Sequence, residues 1–114
     1  MQPKAPKLLE DIRDAAAFIG DAVRGKGLAD YEHDRLLRQA IERNFEIIGE
    51  AMNRLVQHDQ ATAMRITKHR RIIDFRNLLI HGYDLIDHRL VWSTIDEEVP
   101  VLLAEVEALL RAVS

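Results

Sequence analysis

Four stretches of this chain repeat apolar side chains at intervals of three and four, the spacing that lines one face of an α-helix. The first runs from about residue 7 to 24 through Leu8, Leu9, Ile12, Ala15, Ala16, Ile19, Ala22 and Val23. The second, from about Tyr31 to His58, carries two adjacent rows, Leu36, Ala40, Ile47 and Ala51 beside Leu37, Ile41, Ile48, Met52 and Leu55. The third spans Thr67 to about His81, with Thr67 as its expected N-cap. The fourth starts from an Asp87 cap and continues through Leu90, Val91, Ile95, Val99, Leu102, Val106, Leu109 and Val113. Gly25-Lys26-Gly27 marks the first stop, and residues 58–66 read as a linker or a weak helical turn. Pro100 must kink or split the last helix, because proline removes a backbone donor and clashes with the preceding turn. Only three prolines and five glycines occur in 114 residues, so the punctuation of a β-rich fold is missing. The expected fold class is all-α, a single domain over residues 1–114 arranged as a four- to five-helix up-down bundle.

Composition narrows the function classes. The chain has no cysteine, which excludes disulfides and thiolate metal sites. His33, His58, His69 and His88 form no metal-ligand spacing, and neither a metal nor a cofactor is expected. There is no H-E-x-x-H, no glycine-rich phosphate loop and no nucleophile elbow. Aromatic residues at 5% are too sparse for a base-stacking platform. No apolar run approaches a membrane span or a leader, so no membrane association and a cytoplasmic location are expected. The net charge of −3 argues against a surface coated with phosphate-binding groups, yet leaves room for one focused basic site.

That site is sought where the third helix breaks its own rule. Ile72, Ile73, Leu79 and Ile80 recur at helical spacing, and position 76, three or four residues from each, is an arginine. A charge centred on an apolar stripe is costly unless paired or used. His81 follows five residues later, then Gly82, which can end a helix, then Tyr83. Upstream, Arg65, Lys68, Arg70 and Arg71 form a basic run that reads either as a solvated helix face or as part of an anion site. In the second helix, Glu42, Glu46 and Glu50 recur at i, i+4, i+8. With Arg38 and Arg54 this row reads as surface pairing; alternatively Glu46 or Glu50 turns inward to receive Arg76, and Gly49 marks a close helix contact. Trp92 is placed to pack under the Tyr83 turn.

Arginine presents a planar fork of donors that matches a phosphate, and histidine can take up and release a proton near neutrality. Together they suit RNA cleavage without a metal: the 2′-hydroxyl attacks the neighbouring phosphate, a histidine moves a proton and a cation holds the developing charge. Asn77 adds a neutral hydrogen bond, and the Tyr83 hydroxyl can orient a phosphate or carry a modification. On one unbroken helix Arg76 and His81 lie about 140° apart. They converge only if the helix ends near His81, or if a second subunit completes the site across a two-fold axis.

Arg76-Asn77-Leu78-Leu79-Ile80-His81-Gly82-Tyr83 matches the R-N-x3-H-x-Y form of the HEPN superfamily signature. Ala40 to Ala51, A-I-E-R-N-F-E-I-I-G-E-A, resembles the second-helix block of HepT-like proteins, and Val91-Trp92 and Val99-Pro100 resemble their final helix. The resemblance covers roughly residues 8 to 112, with the blocks in the right order. One departure is the basic Thr67–Arg71 segment, where HepT-like chains often carry a proline and a tryptophan. The resemblance implies an all-α bundle of HEPN type that dimerises through the motif face. It implies a metal-independent endoribonuclease, the toxin of a toxin–antitoxin pair whose partner is an MntA-like nucleotidyltransferase antitoxin. Arg76 and His81 are then catalytic, Asn77 supports them, and Tyr83 is both supporting and the position that receives AMP. The alternative is a non-catalytic helical partner of a nucleotidyltransferase that binds anions and cleaves nothing.

Overall fold

The computed structural model describes residues 1–113, with the backbone but not the side chain of Tyr83. Helix α1 spans Ala5–Ala22, α2 Leu28–His33, α3 Arg35–His58, α4 Gln60–Ala63, α5 His69–His81, α6 His88–Glu97 and α7 Val99–Arg111, with a 3₁₀ turn at Tyr83–Leu85. Five of these reach ten residues or more, and α2 and α4 are short additions. No strand occurs among the described residues, so the fold is all-α. No helix among them is long and apolar enough to cross a membrane.

Helix α1 begins with Pro6 in its first turn, where a missing N–H costs nothing, and buries Leu9, Ile12, Ala16 and Ile19 along one stripe. It stops at Ala22, and Gly25 takes a φ of +75°, the turn conformation that a residue without Cβ adopts freely. The helix expected over Tyr31–His58 is instead two, because Asp34 leaves the helical region and its carboxylate accepts the Leu37 N–H at 3.1 Å. A short acidic side chain offers the backbone this cap in place of a continued helix. Arg38 then turns back to donate to the carbonyls of Tyr31 and Glu32, closing the end of α2, rather than pairing with Glu42 as surface charge.

Helix α3 is the central element and packs against α1 on one side and α5 on the other, while α7 covers α1. Its row Leu37, Ile41, Ile48, Met52, Leu55 enters the core as expected, whereas Leu36, at the head of the neighbouring row, points outward and is 79% exposed. Residues 58–66 do form a helical turn, α4, capped by Asp59, whose carboxylate takes the Thr62 N–H and hydroxyl and the Gln2 N–H. These donors hold the Asp59 carboxyl below its usual range, the Thr62 hydroxyl foremost.

Thr67 does not cap the third long helix. Its N–H and hydroxyl both go to the Glu105 carboxylate on α7, Lys68 adopts a left-handed conformation, and α5 starts one residue later at His69. A tertiary carboxylate outcompetes the local cap. Asp87 does cap α6, accepting the Arg89 N–H at 2.9 Å, and Pro100 splits the last helix, falling in the first turn of α7 just after the break at Glu98.

Candidate active site

The core face of α5 is narrower than the sequence implies. Phe75 and Leu79, one turn apart, are buried, with Phe75 set edge-on to Phe45 of α3 at 5.0 Å. Ile72 and Ile73 are half-buried and Ile80 is exposed, so Arg76 stands at the edge of the α3–α5 contact rather than in the centre of a buried stripe. Its aliphatic stem lies over Gly49: any Cβ added at Gly49 would overlap the Arg76 side chain. The expected close helix contact at Gly49 is therefore real, and its partner is the arginine itself.

Of the two carboxylates expected as alternative partners of Arg76, Glu50 receives it, with Nη2 donating to Oε2 at 2.5 Å. Nη1 donates to the Asn77 side-chain carbonyl at 2.8 Å. Arg54 donates through Nε to the other Glu50 oxygen at 2.9 Å, the surface pair expected from their spacing. The Arg76 Nε is buried without a partner, and the side chain as a whole keeps 23% of its surface exposed. Arg76, Glu50 and Arg54 open onto a cleft of about 240 Å³ between α1, α3 and α5, which Arg43, Leu8 and Ile80 also line.

Ile80 forms a ridge between this cleft and a second groove of about 740 Å³, lined by Arg35, Arg38, Glu42, Glu46, Asp84 and His88. Glu46 lines both. Behind the second groove Tyr31 is fully buried, edge-on to His88 at 5.4 Å and tilted against Trp92 at 5.9 Å. Trp92 thus packs on α2, and any contact with the Tyr83 side chain lies outside the described residues. Burial pushes the Tyr31 phenol upward and raises the Glu42 carboxyl, the latter opposed by His88 and Arg38 and reinforced by Glu46. This aromatic and acidic cluster escaped sequence reasoning because its members come from α2, α3 and α6, and no local spacing joins them.

His81 is the last residue of α5 and is exposed. Helix α5 is unbroken between Arg76 and His81, so within one chain the two side chains leave the axis about 140° apart and about 7.5 Å along it. The structure brings Arg76, Asn77 and Glu50 together; it does not bring His81 to them. Gly82 closes the helix with its N–H on the Leu78 carbonyl at 2.8 Å. Its φ of −115° is open to any residue, and an added Cβ would sit 3.0 Å from the Leu78 oxygen, a tight approach. The motif role of the Tyr83 side chain lies outside the described residues. Upstream, Lys68 and Arg71 pair with Glu98 at 3.7 and 2.9 Å, so half of the basic run ties α5 to the α6–α7 junction. Among the described residues no three His, Asp or Glu side chains are grouped to hold a metal ion.

Comparison with known proteins shows the family. A family model described as "Ribonuclease HepT-like" matches residues 12–109. The chain is 32% identical over 109 residues to "Putative RNase TTE0752" of Caldanaerobacter subterraneus subsp. tengcongensis, covering 95% of this chain and 96% of the relative. It is 31% identical over 99 residues to "Putative RNase MJ1380" of Methanocaldococcus jannaschii, covering 87% and 90%. It is 33% identical over 101 residues to "Probable ribonuclease HepT" of Thermococcus cleftensis, covering 89% and 91%. No solved structure matches the chain. With an all-α fold, the R-N-x3-H-x-Y signature running from α5 into the turn after it and a family match over most of its length, this chain belongs to the HepT-like ribonuclease family of the HEPN superfamily.

Proposed function

We propose that the protein is a metal-independent endoribonuclease, the toxin of a type II toxin–antitoxin pair, with Arg76 and His81 as its catalytic residues. The observation that carries the reading is the Arg76 guanidinium, held at the edge of an open cleft by Asn77 and Glu50 in a chain of ribonuclease lineage. The 2′-oxygen of the RNA attacks the adjacent phosphorus and the bond to the 5′-oxygen breaks, leaving a 2′,3′-cyclic phosphate and a 5′-hydroxyl. Arg76 stabilises the charge that develops on the non-bridging oxygens. Two copies related by a two-fold axis supply two His81 imidazoles, one to take the 2′-hydroxyl proton and one to protonate the leaving oxygen. The two-chain site answers the 140° separation within one chain. Three apolar side chains in and beside the motif support it, since Leu78, Ile80 and Leu85 remain 45%, 38% and 81% exposed in the single chain.

Control of the toxin falls to a nucleotidyltransferase antitoxin that transfers AMP from ATP to the Tyr83 hydroxyl, releasing pyrophosphate. With EDTA present, the purified protein should cleave RNA, and His81→Ala should lose about 10²–10⁴-fold in rate while keeping its helical circular dichroism. Undiminished cleavage by that variant would remove His81 from the chemistry. Incubation with the cognate transferase and ATP should add the mass of AMP, and Tyr83→Phe should abolish the adduct. One observation favours a second reading, a non-catalytic partner of the transferase: Glu50 already neutralises Arg76 in the single chain. Absence of cleavage in the same EDTA assay by a folded, unmodified protein would select that reading.

A further inference from the structure

We infer that Glu50 is a positioning residue of this ribonuclease site, acting through Arg76 by fixing the plane of its guanidinium; the inference rests on the RNA-cleaving reading above. An arginine offers five N–H donors. Nη1 spends one on Asn77, Nη2 spends one on Glu50, and the Nε–H is buried. What remains is one N–H on each terminal nitrogen, the pair a phosphate can take up. Asn77 alone cannot set their direction. It is the adjacent residue and makes a single contact, about which the planar group can swing.

The second contact comes from a different helix and is itself anchored. Glu50 is held by Arg54 through its other oxygen, and it follows Gly49, whose missing side chain lets the Arg76 stem lie against α3. Gly49-Glu50 thus acts as a cradle and a clamp for one side chain: the glycine sets where the stem runs and the carboxylate sets how its head is turned. Glu46, one turn earlier, makes no hydrogen bond or ion pair with Arg76 although it lines the same cleft. The spacing of α3 against α5 therefore singles out one carboxylate from a row of three.

A positioning role predicts a loss confined to the chemical step, because a misoriented donor pair still attracts phosphate but misses the charge of the transition state. Glu50→Ala should lower kcat about 10- to 100-fold, with KM changed by less than about threefold. Glu50→Gln, which keeps an acceptor at the same reach, should recover most of kcat. In nitrogen-15 spectra the Arg76 Nη resonances should be distinct in the wild-type protein and averaged in Glu50→Ala. Wild-type kcat in Glu50→Ala, a loss expressed only in KM, a glutamine variant no better than alanine, or unchanged Nη resonances would each overturn the inference. Should Glu50→Ala fail to fold, a folded Glu50→Gln with alanine-like loss of kcat would do the same. A wild-type protein that cleaves no RNA would remove the ribonuclease reading instead, and the Nη spectra would still decide whether Glu50 holds the guanidinium.

Discussion

The two halves of α5 carry unequal positive charge and use it differently. At its start, Lys68 and Arg71 reach Glu98 across the surface, with their own side chains 57% and 54% exposed. At its far end, Arg76 is less than half as exposed, seated against a glycine and held by one carboxylate and one amide. Read along the chain, the first end looks like the stronger anion site because its charges are denser. In three dimensions two of those charges are spent on Glu98, whose side chain is only 14% exposed. Charge density attracts an anion, but a site also needs a donor group that does not have to be ordered when the anion arrives.

Substitutions at the two ends test that difference. The largest contrast should come from Arg76→Ala against Arg71→Ala: about 10²–10³-fold loss of RNA cleavage for the first and less than about twofold for the second. Equal losses would mean that binding along the basic run, rather than the held guanidinium, limits the rate. Next, Gly49→Ala should destabilise the fold by about 1–3 kcal/mol, because the added methyl must displace Arg76 or push α3 from α5. Urea denaturation with a wild-type midpoint would show that the contact yields without cost. Arg71→Ala should cost about 1 kcal/mol in the same measurement, because Glu98 is only 14% exposed but keeps Lys68 within 3.7 Å.

The smallest effect should lie in the groove on the other side of Ile80, where burial raises the Glu42 carboxyl. A carboxyl raised by folding favours the native state when protonated, and that advantage fades as pH rises through the raised value. At pH 7, above the range in which an unfolded glutamate titrates, Glu42 is therefore a mild liability, and Glu42→Gln should raise Tm slightly there. Below about pH 4, where the carboxyl is protonated in folded and unfolded chains alike, the gain should vanish. A gain independent of pH would point to packing rather than charge.

Much of the molecule was legible in advance because the information is local. The 3.6-residue period identified the core rows of α1 and α3, Asp87 announced the start of α6, and Pro100 announced the break between α6 and α7. Gly49 was readable as a close contact because a glycine inside a helix is otherwise unfavourable. The failures differ in cause. Asp34 breaks what periodicity reads as one helix, Thr67 gives its donors to Glu105 instead of to its own helix, and Leu36 faces solvent where its row predicted burial. In two of these a residue thirty or more positions away, or a face left uncovered, overruled the local pattern.

The candidate site divides in the same way. The residue types and order of Arg76, Asn77, His81 and Tyr83, the all-α class and the family are properties of the sequence, because each is a pattern within one segment or a few. That Glu50 and not Glu46 receives Arg76, that Asn77 turns to the guanidinium, and that His81 stands away from both are decided only by the tertiary structure. Glu46 and Glu50 are one helical turn apart on the same face. Which of them meets Arg76 depends on how far α3 is shifted along α5, and no single helix carries that distance in its own sequence.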